Sequence, residues 1–236
     1  MRLVFEPPPD ASDAGLQRAF AGEVAQPLGM EHRFAQAGRV KRVALMASRE
    51  EHCLLDLLWR LRRGELEGEA ALVISNHPDH ERVVREFGIP CHHVPVPSGG
   101  NRAAEARALE LLRDAGIELL VLARYMQVLS GEFLDQLAVP AINIHHSFLP
   151  AFAGPQPYER AWERGVKLIG ATAHYVTEEL DAGPIIEQET ARVSHRDEPD
   201  DLARLGRDLE RLVLARAVRA HLEDRVIVDG SRTLVF

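Results

Sequence analysis

The chain has 236 residues and a formal net charge of −8 at pH 7, with 46% hydrophobic against 27% charged residues. That balance describes a globular protein of one large domain, or one domain with a small appendage, and excludes a disordered or fibrous chain. The acidic balance speaks against a nucleic-acid partner, no apolar run of about 18–20 residues offers a membrane span, and two cysteines, Cys53 and Cys91, make no disulfide framework. The opening MRLVFEPPPD carries no secretory signal, so a cytoplasmic location is expected.

Residues 1–38 read as a small segment of their own. A strand is expected at residues 3–5, a helix at 11–21 and a strand at 30–34, with Pro7-Pro8-Pro9 breaking the first pair and Ala37-Gly38-Arg39 as linker. This is too little chain to bury a core alone.

From residue 39 onward, short apolar runs alternate with helical patterns. Strands are expected at 43–46, 71–74, 91–96, 117–122 and 139–144. The helices between them fall at 79–87, 102–115 and 132–137, preceded by one that Ser48 and Glu51 open as a capping box and Gly64 ends. Strands apolar on both faces, each followed by a helix, imply an α/β domain with a mostly parallel, doubly wound, Rossmann-like sheet. After Pro157 the pattern changes to half-buried strands at 168–176 and 184–193, a helix over 200–221, and two short strands. In a doubly wound sheet the ligand lies beyond the carboxyl ends of the strands, which here means residues 48–53, 123–129 and 143–154.

Three features at or near those ends carry chemistry. Asn143 and His145 alternate with Ile142 and Ile144, so both polar side chains leave the strand on one side. An amide donor and an imidazole aimed at one point suit a carbonyl whose oxygen becomes negative in the transition state; the plainer reading is a strand end whose polar groups satisfy a loop. Asp181 precedes Ala182-Gly183-Pro184, a turn that would fix its carboxylate, and also fits an ordinary Asx-turn. His174 alternates along a strand with Tyr175 and Val176, a pattern that by itself favours a structural histidine.

Taken together with their surroundings, these residues resemble the folate-dependent formyltransferase family over residues 40–236. The segments that carry the resemblance are His52-Cys53-Leu54 with Asp56-Leu57-Leu58, Ile74-Ser75-Asn76-His77, Arg124-Tyr125-Met126-Gln127-Val128-Leu129, Asn143-Ile144-His145-His146-Ser147-Phe148-Leu149-Pro150-Ala151-Phe152 and Gly170-Ala171-Thr172-Ala173-His174-Tyr175-Val176. His146 stands where the transferases usually have proline, which makes the chain most similar to the deformylase branch.

That resemblance implies a hydrolase of a carbon–nitrogen bond, converting 10-formyltetrahydrofolate to formate and tetrahydrofolate, with the formate feeding purine synthesis. Asn143, His145 and Asp181 would be catalytic. Asp181 would orient and deprotonate water directly or through His145, and Asn143 with protonated His145 would hold the oxyanion. A carboxylate nearby would raise the pKa of His145. The folate would lie along Arg124, Tyr125, Met126, Gln127, Val128 and Leu129, with His146, Ser147 and His174 as further substrate contacts. No cofactor and no metal are expected; His92-His93 and His145-His146 lack metal-ligand spacing on one face. The alternative is transfer to an amine such as glycinamide ribonucleotide. Its phosphate would want a Gly-rich turn after the first strand, where this chain has Ala47-Ser48-Arg49-Glu50-Glu51-His52.

Two departures accompany the resemblance. The family usually begins with a complete ACT module, and residues 1–38 look like its second half. Either a segment upstream is missing from this sequence or the half-module pairs with another subunit, so a homo-oligomer, dimer or tetramer, is expected. Gly154-Pro155-Gln156-Pro157 also replaces the small and basic residues that the family has before its proline, which would weaken contact with an anionic part of the substrate.

Overall fold

The computed structural model describes residues 1–97, 101–150 and 157–236. The chain forms two compact units, Met1–Arg39 and Val40–Phe236.

In the first unit, α1 (Asp13–Phe20) begins at Ser12, whose hydroxyl accepts a hydrogen bond from the Gly15 amide at 3.2 Å. A π-helical turn (Ala21–Ala25) leads into the short α2 (Gln26–Leu28), which stops at Gly29 in the left-handed region. Phe20, His32 and Phe34 cluster their rings, with Phe20 5.4 Å from His32 and 5.5 Å from Phe34. No strand forms at residues 3–5 or 30–34, contrary to expectation. A strand persists only where a neighbour completes its ladder, and the triple proline supplies no amide to build one.

The second unit alternates as expected. In chain order it runs β1 (Lys41–Ala47), α3 (His52–Arg63), β2 (Gly68–Ser75), α4 (Glu81–Glu86), β3 (Cys91–His93), α5 (Arg102–Asp114), β4 (Leu119–Leu122), α6 (Gly131–Leu137) and β5 (Ala141–His145). The second half is α7 (Pro157–Arg164), β6 (Leu168–Tyr175), β7 (Ile185–Arg192), α8 (Pro199–Leu222), β8 (Val226–Asp229) and β9 (Arg232–Val235). The main sheet has seven strands in the order β3-β2-β1-β4-β5-β6-β7. The first five are parallel, β6 alone is reversed, and β7, antiparallel to β6, runs in the direction of the first five. The order reverses between β1 and β4, the topological switch point of the sheet.

Period-two alternation explains the two layers. Val43, Leu45 and Ala47 of β1 pack with Leu54, Leu57 and Leu58 of α3 and with Val213 and Ala217 of α8. Ala44 and Met46 face the other way, among Ala108, Leu112 and Phe133 of α5 and α6. On β5, Ile142 and Ile144 belong to the α3/α8 layer, so Asn143 and His145 point to the α5/α6 side. Ala171 and Ala173 of β6 also belong to the α3/α8 layer, which puts Thr172 and His174 on the same side as Asn143 and His145.

Candidate active site

The antiparallel register of β5 and β6 sets Asn143 opposite His174 and His145 opposite Thr172. Four residues from three chain segments therefore meet at one end of the sheet. Asn143 Nδ2 lies 3.3 Å from His174 Nε2, His145 Nδ1 lies 3.2 Å from Asp181 Oδ2, and His174 Nε2 lies 3.6 Å from Asp181 Oδ1. All three ionisable side chains are withdrawn from solvent, with 9%, 3% and 13% of His145, His174 and Asp181 exposed.

Asp181 reaches the histidines from a turn in the left-handed region, φ 56, a conformation aspartate tolerates better than most residues. Gly183 passes directly against the Tyr175 carbonyl, where any Cβ would collide with backbone. The Asp181 carboxyl is held well below the usual carboxylate range, chiefly by its hydrogen bond with His145 and then by His174, against the opposing effect of burial. It is an anion throughout the neutral range.

The hydrogen bonds constrain proton positions. His174 Nδ1 lies 2.8 Å from the Tyr175 carbonyl, an acceptor only, so this nitrogen carries the proton. Its Nε2 then accepts from Asn143 Nδ2 in the neutral ring and donates toward Asp181 Oδ1 in the charged one, and the second amide hydrogen of Asn143 is left to donate elsewhere. His145 directs Nδ1 at Asp181, while its Nε2 is buried and has no hydrogen-bond partner among the described residues.

That orphaned nitrogen belongs to a row. The buried side-chain atoms without a hydrogen-bond partner among the described residues are His52 Nδ1, Asn76 Oδ1, His80 Nδ1, Arg124 Nε, His145 Nε2 and His146 Nδ1. All of them follow the carboxyl ends of β1, β2, β4 and β5. Two of them face carboxylates, His52 Nδ1 at 3.6 Å from Glu50 and Arg124 Nε at 3.4 Å from Glu210. Buried polar groups are normally paired, so the other four, at Asn76, His80, His145 and His146, are the ones a polar ligand would satisfy. By contrast, an open groove of about 820 Å³ beside Thr177, Glu178, Pro184 and Ser231 contains none of the four clustered residues.

Asn143, His145 and Asp181 are thus brought together as expected, and His174 joins them directly. The segment after β4 divides by role. Tyr125 and Leu129 are buried among the α5/α6 side chains, and burial pushes the Tyr125 hydroxyl up to about 12. Met126 and Val128 project outward, 56% and 59% exposed, as apolar walls require. Gln127 is half-buried, and the Arg124 side chain turns inward toward Glu210. Arg124 itself sits at φ 64.

The expected capping box is absent: α3 opens at His52 behind Glu51, with no side-chain cap. The Ser48 hydroxyl instead accepts the Met126 amide at 2.9 Å, and the Ser48 amide donates to the Arg124 carbonyl at 3.1 Å. Ser48 ties the end of β1 to the segment after β4 because its amide and hydroxyl are more useful across the switch point than at the helix start.

His146 and Ser147 are both buried. Thr172 Oγ1 donates to the Ser147 carbonyl at 2.9 Å and accepts the Leu149 amide at 3.0 Å, while Gln188 Nε2 donates to the Leu149 carbonyl at 3.1 Å. These bonds pin the chain just after His145. The expected departure at Gly154-Pro155-Gln156, together with Ala151-Phe152, lies outside the described residues.

Sequence reasoning did not single out Glu210, which is 1% exposed in α8 and accepts hydrogen bonds from Tyr158 and His52. A signal was there: Gly206, Glu210, Val213, Leu214 and Ala217 follow helical spacing on the apolar stripe of α8, and a carboxylate on such a stripe demands partners. No helix among the described residues is long and apolar enough to cross a membrane.

Residues 41–218 match the family described as formyl transferase. The chain is 59% identical over 221 residues to a formyltetrahydrofolate deformylase of Mycobacterium tuberculosis (strain ATCC 25618 / H37Rv), covering 94% of this chain and 71% of the relative. Its fold superposes on the crystal structure of a formyltetrahydrofolate deformylase from Pseudomonas syringae pv. tomato with a TM-score of 0.91 at 51% identity, covering 96% of this chain and 76% of the other. A glycinamide ribonucleotide transformylase from Symbiobacterium toebii is more distant, with a TM-score of 0.79 at 32% identity over 87% of this chain and 98% of that one. The chain belongs to the formyl transferase family and, within it, to the formyltetrahydrofolate deformylases.

Proposed function

We propose that this chain hydrolyses 10-formyltetrahydrofolate to tetrahydrofolate and formate at the cluster of Asn143, His145, His174 and Asp181. The observation that carries the assignment of roles is His145 itself, with Nδ1 held by an ionised Asp181 and a buried Nε2 left without a partner. Water attacks the formyl carbon and gives a proton to His145 Nε2. The new carbon–oxygen bond leaves a tetrahedral oxyanion, which accepts the free amide hydrogen of Asn143 and lies beside the His145 imidazolium. Collapse breaks the carbon–N10 bond, the imidazolium returns its proton to N10, and formic acid leaves and ionises to formate by giving its proton to solvent.

Asp181 is too weak a base to take the proton itself, since its carboxyl is held well below the usual range. Its work is to orient His145 and stabilise the charge that forms there, as a buried carboxylate does beside a catalytic imidazole. His174 keeps Asn143 turned with its amide toward the reacting oxygen. The exposed Met126 and Val128 support a folate ring against the segment after β4, with Gln127, His146 and Ser147 as polar contacts. Water is the only co-substrate in this scheme, and neither cofactor nor metal is needed.

The same reading makes the protein a cytoplasmic homo-oligomer, dimer or tetramer, with residues 1–38 as an ACT-like N-terminal module; the exposed Leu3, Val4 and Phe5 support self-association. Light scattering on the purified chain tests it, and a monomer at assay concentration would count against it. The catalytic reading is tested by incubating the protein with 10-formyltetrahydrofolate, with and without glycinamide ribonucleotide. Formate released without an acceptor is the expected result; turnover only with the amine would replace hydrolysis by transfer.

A further inference from the structure

On the α3/α8 side of the sheet, opposite the catalytic cluster, one buried carboxylate gathers three segments that leave the carboxyl ends of different strands. Glu210 Oε1 accepts the Tyr158 hydroxyl at 2.6 Å, and Glu210 Oε2 lies 2.8 Å from His52 Nε2 and 3.4 Å from Arg124 Nε. His52 opens the helix after β1, Arg124 follows β4, and Tyr158 lies on the helix after β5. Gly206, one turn before Glu210, makes room for Tyr158: a Cβ there would overlap the phenol oxygen.

Burial alone would raise the carboxyl of Glu210, but the His52 hydrogen bond, the Arg124 charge and the Tyr158 hydrogen bond outweigh it and hold it below its ordinary value. Tyr158 then continues the chain toward the reaction. Its ring centre is 6.0 Å from that of His146, which is 5.3 Å from that of His145.

A buried charge of this kind is a poor device for stability, since a well-packed apolar residue often does as well or better. Its distinctive property is that it fixes several partners in one geometry. His52, Cys53 and Glu210 also stand close enough to share a cation. However, Arg124 already brings positive charge to the same oxygen, and burial followed by the Glu210 charge keeps the Cys53 thiol protonated.

We propose that Glu210 is a positioning residue for hydrolysis, acting through Tyr158 and His146 on the placement of His145, and through Arg124 on the segment that contacts the folate. The proposal rests on the catalytic role given above to His145. Its two arms separate kinetically. Tyr158→Phe keeps the ring contact with His146 and removes only the hydrogen bond that fixes the ring to Glu210, whereas Glu210→Gln weakens both arms.

The test is kcat and KM for formate release by full-length wild type, Y158F, E210Q and H145A. Each is expressed per folate-binding site, counted by titration with a non-hydrolysable 10-formyltetrahydrofolate analogue. Y158F is expected to lose about three- to tenfold in kcat with KM within about twofold, and E210Q to lose at least as much in kcat with KM raised about threefold or more. A merely structural role would lower the number of sites and leave kcat per site and KM unchanged, and that result overturns the proposal. If E210Q does not fold, Y158F decides alone, and kcat per site within about twofold of wild type sinks the idea. Activity lost to a chelator and restored by zinc would assign the cluster to a metal instead. An active H145A would remove the catalytic reading and this proposal with it, whereas an inactive H145A beside unaffected Y158F and E210Q would remove this proposal only.

Discussion

Gly183 packs its α-carbon against the carbonyl of Tyr175, so closely that the position admits no side chain. The contact joins the end of β6, where His174 sits, to the turn that carries Asp181, and it sets how far that carboxylate reaches toward His145. Gly183→Ala must push the turn away from the strand. A displacement near 1 Å at a catalytic group can cost about a hundredfold in rate, so kcat is expected to fall by about that factor. Steady-state assay of G183A checks this, and a variant with near-native kcat would uncouple the turn from catalysis.

Removal of the reacting groups follows from their geometry. Asn143→Ala deletes one oxyanion donor and is expected to lower kcat by about 10²–10³. Asp181→Asn and His145→Ala are expected to fall below about a tenth of wild-type activity while circular dichroism stays native, because these side chains are small parts of a large packed unit. More than that residual activity in either would contradict the roles assigned.

Asp181 also links pH to stability. Its folded carboxyl is held below the unfolded value of ~3.9. The contact with the histidines therefore stabilises the fold above about pH 4 and is lost as pH falls through the lower, folded value. Melting temperatures of wild type and D181N are expected to converge on acidification below about pH 4. A gap independent of pH would mean that the carboxylate charge contributes nothing to stability.

Ser48 should matter for binding more than for chemistry. Its hydroxyl holds the Met126 amide from across the switch point. Loss of one such neutral hydrogen bond is worth about 0.5–1.5 kcal/mol, or about two- to tenfold in affinity. Ser48→Ala is expected to raise KM for 10-formyltetrahydrofolate within that range and leave kcat close to wild type; an unchanged KM would show that the segment is placed without Ser48.

Thr172 is a stability determinant next to the site. It is fully buried, donates to the Ser147 carbonyl and accepts from the Leu149 amide. Thr172→Val keeps the shape and strands these two groups, and removes the acceptor of a third bond from Gln188 Nε2, at a cost of about 1–3 kcal/mol. A fall of several degrees in melting temperature is expected by calorimetry, and an unchanged melting temperature would show the loop to be anchored by Gln188 instead.

Much of this was legible along the chain. The apolar runs in β1, β4 and β5 have both faces buried, and that property belongs to parallel strands covered on two sides wherever they occur. The alternation of Asn143 and His145 with two isoleucines follows from the period of a strand alone. No strand forms at residues 3–5 because a strand's existence depends on its neighbour, and these residues have none among the described residues. The capping box at Ser48 failed for a related reason, since the hydroxyl found a distant amide that local spacing does not reveal.

Strand and helix alternation, the carboxyl-edge location of the site and the shared direction of Asn143 and His145 were determined by local sequence, because periodicity and turn chemistry act within a few residues. Only the tertiary structure decided that His174 faces Asn143, that Asp181 closes on both histidines, and that Glu210 draws His52, Arg124 and Tyr158 together. Those relationships depend on antiparallel register and on helix-to-sheet packing. Both are set by the summed burial of residues far apart in the chain, and no short stretch of sequence contains that sum.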